Sequence, residues 1–326
     1  MVTVNGQVND FTRIPTGLCS LDTLLADHLG NRGWPGSTIT ELYGPPLIGK
    51  STLAVYIAGK LSSLTGGSKI PLLDLEMAYS EDHLAANLTH AGFRGEAWLI
   101  EMVDKKGKSR SHEEVLEEWA NSLTDPLVSA IVLDSIGMVM SESEVSNPIG
   151  SANMGRRGFI MAQTSRKLIY HLRQTDRPKF VVMVNHEYQN LGPYGGRVTP
   201  GGKAKEYLSS QRITMYNKEK LEWGDMHVAM RCDKKRKGGV QKDARGYVYI
   251  IPDYGVSPEM TAAFDCLIAG YAERKTSGLW LDGKNYGRIR DLRDKVISGD
   301  TEWAIPFMNM LTKGFQDEEK PDEVVP

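Results

Sequence analysis

Cysteine is nearly absent: Cys19, Cys232 and Cys266 are the only three, and they lie far apart. An odd, sparse set makes neither a disulfide framework nor a zinc site. It suits a reducing compartment, so a cytoplasmic location is expected. Long apolar runs are missing as well; none approaches the ~20 residues that span a bilayer, so no membrane partner is expected. The opening segment, MVTVNGQVND, has neither the basic nor the apolar stretch of a signal peptide. Net charge is almost nil, with 39 Lys and Arg against 41 Asp and Glu giving −2. That excludes a surface coated in positive charge but leaves room for a local basic patch.

What is present is ordinary soluble-protein composition, 40% apolar and 25% charged, over 326 residues. Such a length suggests about two domains, and a core large enough to need no covalent staple. Short β-rich runs alternate with helical patterns. Thr38–Tyr43, Pro71–Glu76, Ala130–Asp134 and Phe180–Asn185 read as strands, and the last two are apolar enough to be buried on both faces. Lys50 to about Leu64, His112–Leu123 and Gly155–Gln174 have helical spacing, while Arg212–Tyr216 and Tyr247–Ile251 read as later strands. The alternation predicts an α/β fold with a doubly wound, mostly parallel sheet. Two polar stretches rich in Gly, Pro, Ser and Asn, 141–155 and 187–202, break the rhythm. Loops that long inside a domain usually carry function. Beyond about Val256 the pattern changes, which predicts a small C-terminal domain ending in an acidic tail.

Gly44-Pro45-Pro46-Leu47-Ile48-Gly49-Lys50-Ser51 fits G-x-x-x-x-G-K-[ST] at every fixed position, after a predicted strand and before a predicted helix. Glycines let the backbone curl so that N–H groups face phosphates, and the helix N-terminus adds partial positive charge. Lys50 is placed to reach the β- and γ-phosphates, and Ser51, next to Thr52, to ligate Mg²⁺. A metal-organising carboxylate is expected at the end of a nearby buried strand. Asp134 closes AIVLD and is costly to bury without a partner. The alternative is a helix N-cap. Hydrolysis also needs a group that positions or deprotonates water. Glu76 closes PLLDLE, with Asp74 two residues earlier on the same strand face. Glu76 is favoured as the base because it lies nearer the C-terminal end, where open α/β sheets bind ligands. Either residue could instead be a structural cap.

In this order the motifs resemble the RecA family of ATP-dependent DNA strand-exchange recombinases. The lead-in Phe11–Glu41, the segment Leu72–Ala78 (LLDLEMA), AIVLDSIGMVM, Ile149–Gly155 (IGSANMG), Ser165–Leu168 and Val198–Tyr207 (VTPGGKAKEY) each resemble a family segment. So do YGVSPEM and GLWLDGKNYGRIRD of the C-terminal domain. The resemblance runs from about Phe11 to Phe307 and is closest to the bacterial and phage branch. It implies a RecA-like P-loop ATPase core with a mostly parallel sheet and a small α/β C-terminal domain. The division is 1–34 as N-terminal oligomerisation segment and lead-in, 35–256 as core, and 257–326 as C-terminal domain.

The implied function is a DNA-dependent ATPase, with ATP and Mg²⁺ as cofactors. It forms a helical homo-oligomeric filament on single-stranded DNA and pairs that strand with homologous double-stranded DNA. Single-strand-binding or mediator proteins are further implied partners. Glu76 falls on the family's catalytic base and Asp134 on its Walker aspartate. Loops 141–155 and 187–202 become DNA-binding loops. Met154, Gly155, Arg156, Arg157, Arg166, Leu191, Gly192, Arg197, Gly201, Gly202 and Lys203 fall in or beside them, with Leu191-Gly192 as a wedge between bases. His186 stands where the family carries its γ-phosphate-sensing Gln, and His83, with Tyr79 close by, where it stacks a ring on adenine. The family's N-terminal helix is missing or reduced, and Val2–Val8 could instead add a strand to a neighbour.

Two basic stripes accompany the loops. Seven basic residues lie between Arg156 and Lys179, and seven between Arg231 and Arg245. Helical charge runs are usually solvated faces; beside a Gly-rich loop, phosphate contact is the competing reading. The second stripe corresponds to the place from which family lysines reach a neighbour's ATP, with Lys234, Lys235 and Lys237 as candidates. The acidic tail is either regulatory or solubilising. Two other functions compete: a RecA-fold accessory ATPase for annealing or recombinase loading, and a P-loop kinase of a small substrate. The long polar loops argue against the kinase.

Overall fold

Uninterrupted runs of Val, Ile and Leu are stable as strands only where both faces are covered. A computed structural model of the chain describes residues 13–148, 155–189, 196–236 and 244–317, and there those runs sit at the centre. In chain order the elements begin with α1 (Cys19–Leu24), β1 (Thr38–Gly44), α2 (Lys50–Thr65), β2 (Lys69–Asp74), α3 (Glu81–His90), β3 (Glu96–Leu99) and α4 (His112–Asn121). Then come β4 (Ala130–Asp134), α5 (Glu142–Ser146), α6 (Arg156–Arg173), β5 (Phe180–His186), β6 (Tyr188–Gln189), β7 (Arg197–Val198) and α7 (Gly202–Leu208). Strands β8 (Gln211–Lys220), β9 (Met226–Lys235), β10 (Gly246–Ile251) and β11 (Gly255–Val256) complete the large sheet. Helix α8 (Pro258–Ile268), strands β12 (Ala272–Lys275), β13 (Gly278–Leu281) and β14 (Lys284–Gly287), and helices α9 (Ile289–Ile297) and α10 (Ile305–Asp317) follow.

Nine strands form one sheet in the order β11-β10-β9-β8-β1-β5-β4-β2-β3. From β3 to β8 every pairing is parallel; β8, β9, β10 and β11 continue antiparallel. The fold is therefore α/β with a large, mostly parallel sheet, as expected. All positions of β1 and β4 are buried. One apolar cluster joins α2 to the inner sheet face through Leu53, Ile57, Val132 and Val182. A second covers the other face with Trp119 of α4 and Met161 and Leu168 of α6.

Three readings change. Glu76 does not close a strand: β2 ends at Asp74, and Glu76 stands in the following loop. Strand β9 was read only as a charge stripe, because exposed Arg231 and Asp233 alternate with buried Cys232 and hide the period of two. The stretch 141–155 is not all loop, because Ser141 and Glu144 form a capping box that starts α5. The division after residue 256 falls between β11 and α8, but both sides share a core. Tyr249 and Ile251 of β10 pack with Phe264, Leu292 and Phe307, and Arg293 Nε donates to wholly buried Asp225 at 2.7 Å. Among the described residues no helix is long and apolar enough to cross a membrane. The segment Val2–Val8, Met154, Leu191, Gly192, Lys237 and the tail beyond 317 lie outside the described residues.

Asp265 of α8 is buried against α1, with Ser20 N donating to Oδ2 at 3.2 Å. Burial pushes its carboxyl up to about 7. The folded protein thus binds this proton more tightly than the unfolded chain does. The stability it contributes is full below about pH 4 and is lost as pH rises through about 7. Asp265→Asn should therefore stabilise the protein at pH 8 by on the order of 2 kcal/mol, with a much smaller gain at pH 5. Urea midpoints of both proteins at the two pH values measure this; an equal gain at both would refute it.

Candidate functional site

The parallel register lines up one end of the sheet. Gly44 of β1 pairs with His186 of β5, and Asp74 of β2 with Asp134 of β4. The phosphate loop rises from β1 and returns as α2. Gly49, immediately before α2, has φ +86°, and a Cβ there would stand 2.3 Å from Ile250 Cδ1. The left-handed backbone demands glycine, and a side chain would also have to displace the end of Ile250. Lys50 is buried, and its Nζ donates to the Pro45 carbonyl at 2.8 Å. Burial pushes its pKa down, while the charges of Asp134 and Glu76 pull it back up. Among the described residues the Pro45 carbonyl is its hydrogen-bond partner, and a buried ammonium held by a neutral carbonyl is suited to receive an anion.

Asp134 is wholly buried. Its Oδ2 accepts from the Tyr79 hydroxyl at 2.8 Å, and among the described residues nothing bonds Oδ1. Burial raises its pKa; the hydroxyls of Ser51 and Tyr79 oppose this. An orphaned, buried carboxylate oxygen beside the Ser51 hydroxyl is the donor set that a magnesium ion requires, so these residues fit the metal.

Asp74 and Glu76 separate into different jobs. Asp74 Oδ1 accepts from the backbone N–H of Glu76 and of Ala78, and Oδ2 from that of Tyr79, each at 3.1 Å. It is the cap that shapes the loop. The loop carries Glu76 to β4 and β5, where Oε1 accepts from Ser135 Oγ and bonds His186 Nε2. Ser80 then caps α3 by accepting from His83 N at 3.3 Å. His83 reaches Thr52 Oγ1 at 3.4 Å and stacks loosely on Tyr79, with centroids 6.3 Å apart.

A buried polar group next to His186 reaches the second long loop. Asn185 Nδ2 donates to Glu41 Oε1 at 2.6 Å and to the Pro200 carbonyl at 3.0 Å. Arg212 Nε donates to Glu41 Oε2 at 2.6 Å, and its NH2 to Thr199 Oγ1 at 3.1 Å. Glu41 is wholly buried, so Arg212 and Asn185 are its compensation. Sequence reading missed Glu41, Arg212, Ser135 and the inward turn of Tyr79. A lone Glu inside TITELY was the one available signal.

The ends of the two long loops meet. Gly158 in the first turn of α6 lies against Gly202 at the start of α7, where a Cβ on Gly202 would come within 3.2 Å of Gly158 Cα. Gly155, Gly201, Gly202 and Lys203 thus gather at adjacent helix starts. The basic stripes sort into two kinds. Arg156, Arg166, Arg173 and Arg177 are exposed. Arg157 is braced by the Val139 carbonyl and Glu144, Lys167 by Glu117, Arg197 by Glu187 at 3.1 Å, and buried Lys179 by the Leu123 and Asp125 carbonyls. Of the three candidate lysines, the fold withdraws Lys235. It is buried, and its ammonium bonds the Leu24 and Ala26 carbonyls within its own chain. Lys234 bonds the Glu206 and Tyr207 carbonyls at the C-terminal end of α7, where Arg236 also lies.

A family model described as the RecA N-terminal domain matches residues 1–242. Protein RecA of Ruminococcus albus is 28% identical over 217 residues, 66% of this chain and 50% of that protein. Protein RecA of Paenarthrobacter aurescens is 28% identical over 279 residues, 85% and 71% of the two chains. Protein RecA of Tropheryma whipplei is 28% identical over 291 residues, 89% and 59%. The chain therefore spans between half and about three quarters of these relatives' length. Since the family match runs from the first residue through the phosphate loop, both long loops and strands β8 and β9, the chain belongs to the RecA family.

Proposed function

We propose that this protein is an ATP-dependent DNA recombination and repair protein that assembles as a filament on single-stranded DNA and exchanges strands with a homologous duplex. One observation carries the reading. Lys50, Asp134 and Glu76 meet at one sheet edge, and Glu76 touches His186, the residue from which the second long loop departs. A hydrolytic site and a polymer-binding loop thus share a side chain.

In this reading Lys50 exchanges its carbonyl partner for β- and γ-phosphate oxygens. Ser51 and Asp134 hold Mg²⁺, which neutralises charge on the phosphates. Ser135 and His186 fix Glu76 by Oε1, leaving Oε2 to accept the proton of the attacking water. His186 passes the state of the site toward the second loop, and its neighbour Asn185 anchors that loop's far end at Pro200. Exposed Arg156 and Arg166 face the DNA phosphates beside the paired loop ends, with Lys203 nearby. Lys234, joined by Arg236, reaches the ATP of the next protomer. His83 borders the adenine.

Glu76→Gln keeps the shape of the side chain and removes the base. It should bind ATP like the wild type while turnover falls at least 100-fold. Rapid-quench hydrolysis beside fluorescent-nucleotide titration checks this, and unchanged turnover would remove Glu76 from the chemistry. Arg166→Ala should weaken binding of oligo-dT uniformly and lower the slope of log K against log salt by about 0.7; an unchanged slope would return Arg166 to the solvated surface. The strand-exchange assignment is tested by D-loop formation with ATP. Nucleotide-dependent DNA binding without any D-loop would leave the accessory ATPase reading in its place.

A further inference from the structure

One contact at the site is not absorbed by the proposed chemistry. Tyr79 belongs to neither the phosphate loop nor a strand end, yet its hydroxyl donates to Asp134 Oδ2 at 2.8 Å. The tyrosine has little freedom to leave. Its backbone N–H is bound by Asp74 Oδ2 at 3.1 Å, and the next residue, Ser80, is the N-cap of α3. The same loop sends Glu76 to Ser135 Oγ. Two successive residues of the β4 end, Asp134 and Ser135, are thus each engaged from the loop that follows β2.

A carboxylate has two equivalent oxygens and rotates to serve either. The Tyr79 donor removes that equivalence: Oδ2 is occupied, while Oδ1 is buried and bonded to nothing among the described residues. Leaving such an oxygen unpartnered costs about 1–3 kcal/mol. A partner is therefore expected there, and a cation supplies it.

We propose that Tyr79 is a positioning residue of the magnesium site: its phenol pins Asp134 by Oδ2 so that Oδ1 is presented to the metal. This rests on the reading of Ser51 and Asp134 as the metal-holding pair. The competing role for Tyr79 is a platform for the adenine beside His83. A platform uses the ring and not the hydroxyl, so the two roles separate by experiment.

Affinity for mant-ADP is measured with Mg²⁺ and with EDTA, for wild type, Tyr79→Phe, Tyr79→Leu and Asp134→Asn. In Tyr79→Phe the metal-free affinity should match wild type while the gain brought by Mg²⁺ falls about 10-fold, as for other partners of metal ligands. Metal-free affinity serves as the check on folding. Tyr79→Leu should lose the same gain, and it carries the test if the phenylalanine variant does not fold. An undiminished gain in both variants overturns the role of Tyr79 while leaving the metal site in place, provided Asp134→Asn loses it. A drop that is equal with and without Mg²⁺ assigns the ring to the base and also overturns the proposal. If wild type gains nothing from Mg²⁺, the metal-site reading falls and this one with it.

Discussion

A lysine and an aspartate, both taken out of water at one edge of a parallel sheet, set the terms for everything around them. Among the described residues Lys50 bonds the Pro45 carbonyl and no carboxylate, and Asp134 has a donor at Oδ2 but none at Oδ1. The negative charge of Asp134 counteracts part of the desolvation of Lys50, and the Tyr79 hydroxyl holds Asp134 by Oδ2. Such a pair is tolerable because β1 and β4 are buried on both faces and anchored by two apolar clusters. The core supplies the stability that the edge gives up. Lys50 and Asp134 thus stand in a framework fixed by the core, which is what the proposed phosphate and cation site would need.

The second buried polar group solves a different problem. Glu41 lies in the middle of the sheet with no exposure, and its two oxygens are taken by strands on opposite sides, Asn185 of β5 and Arg212 of β8. Removing Arg212 would strand a buried charge, a loss of about 3–5 kcal/mol, whereas removing Asn185 would cost Glu41 one hydrogen bond and leave the ion pair in place. Both partners also hold the exit of the second loop, at Pro200 and Thr199. Loop position and sheet register are consequently fixed by the same three side chains. A change felt at His186 has only one residue to cross before it meets this group.

Local features were legible in the sequence, and contacts between distant segments were not. The phosphate loop and the AIVLD strand are short motifs whose meaning depends on a few neighbours, so pattern alone located them. Glu76 is singled out both by its place after an apolar run and by the family resemblance, but the strand ends at Asp74 and Glu76 stands in the loop beyond it. Its approach to Ser135 is created by Asp74 capping a turn, and a one-dimensional pattern does not distinguish a strand's last residues from the loop after it. The family resemblance sets Tyr79 close to the position it implies for adenine; only the fold shows its hydroxyl turned to Asp134. Strand β9 escaped because it lies in the antiparallel part, where one face meets solvent and charges interrupt the apolar run.

Counting basic residues proved a poor guide to where DNA could lie, and the reason is physical. A lysine has a long apolar stem and an ammonium that can satisfy several carbonyls, so a fold uses it as an internal brace. Lys179 closes the turn at Leu123 and Asp125, and Lys235 ties β9 to the segment after α1. Neither can serve a phosphate without unmaking those bonds. Arg157 and Lys167 are held by acidic partners at the surface, which a polyanion could replace at small cost. Arg156 and Arg166 need no exchange at all. The charge available to DNA is therefore graded by what each cation must first give up. By that grading exposed Arg156, at the start of α6 beside the Gly158–Gly202 contact, has the least to give up.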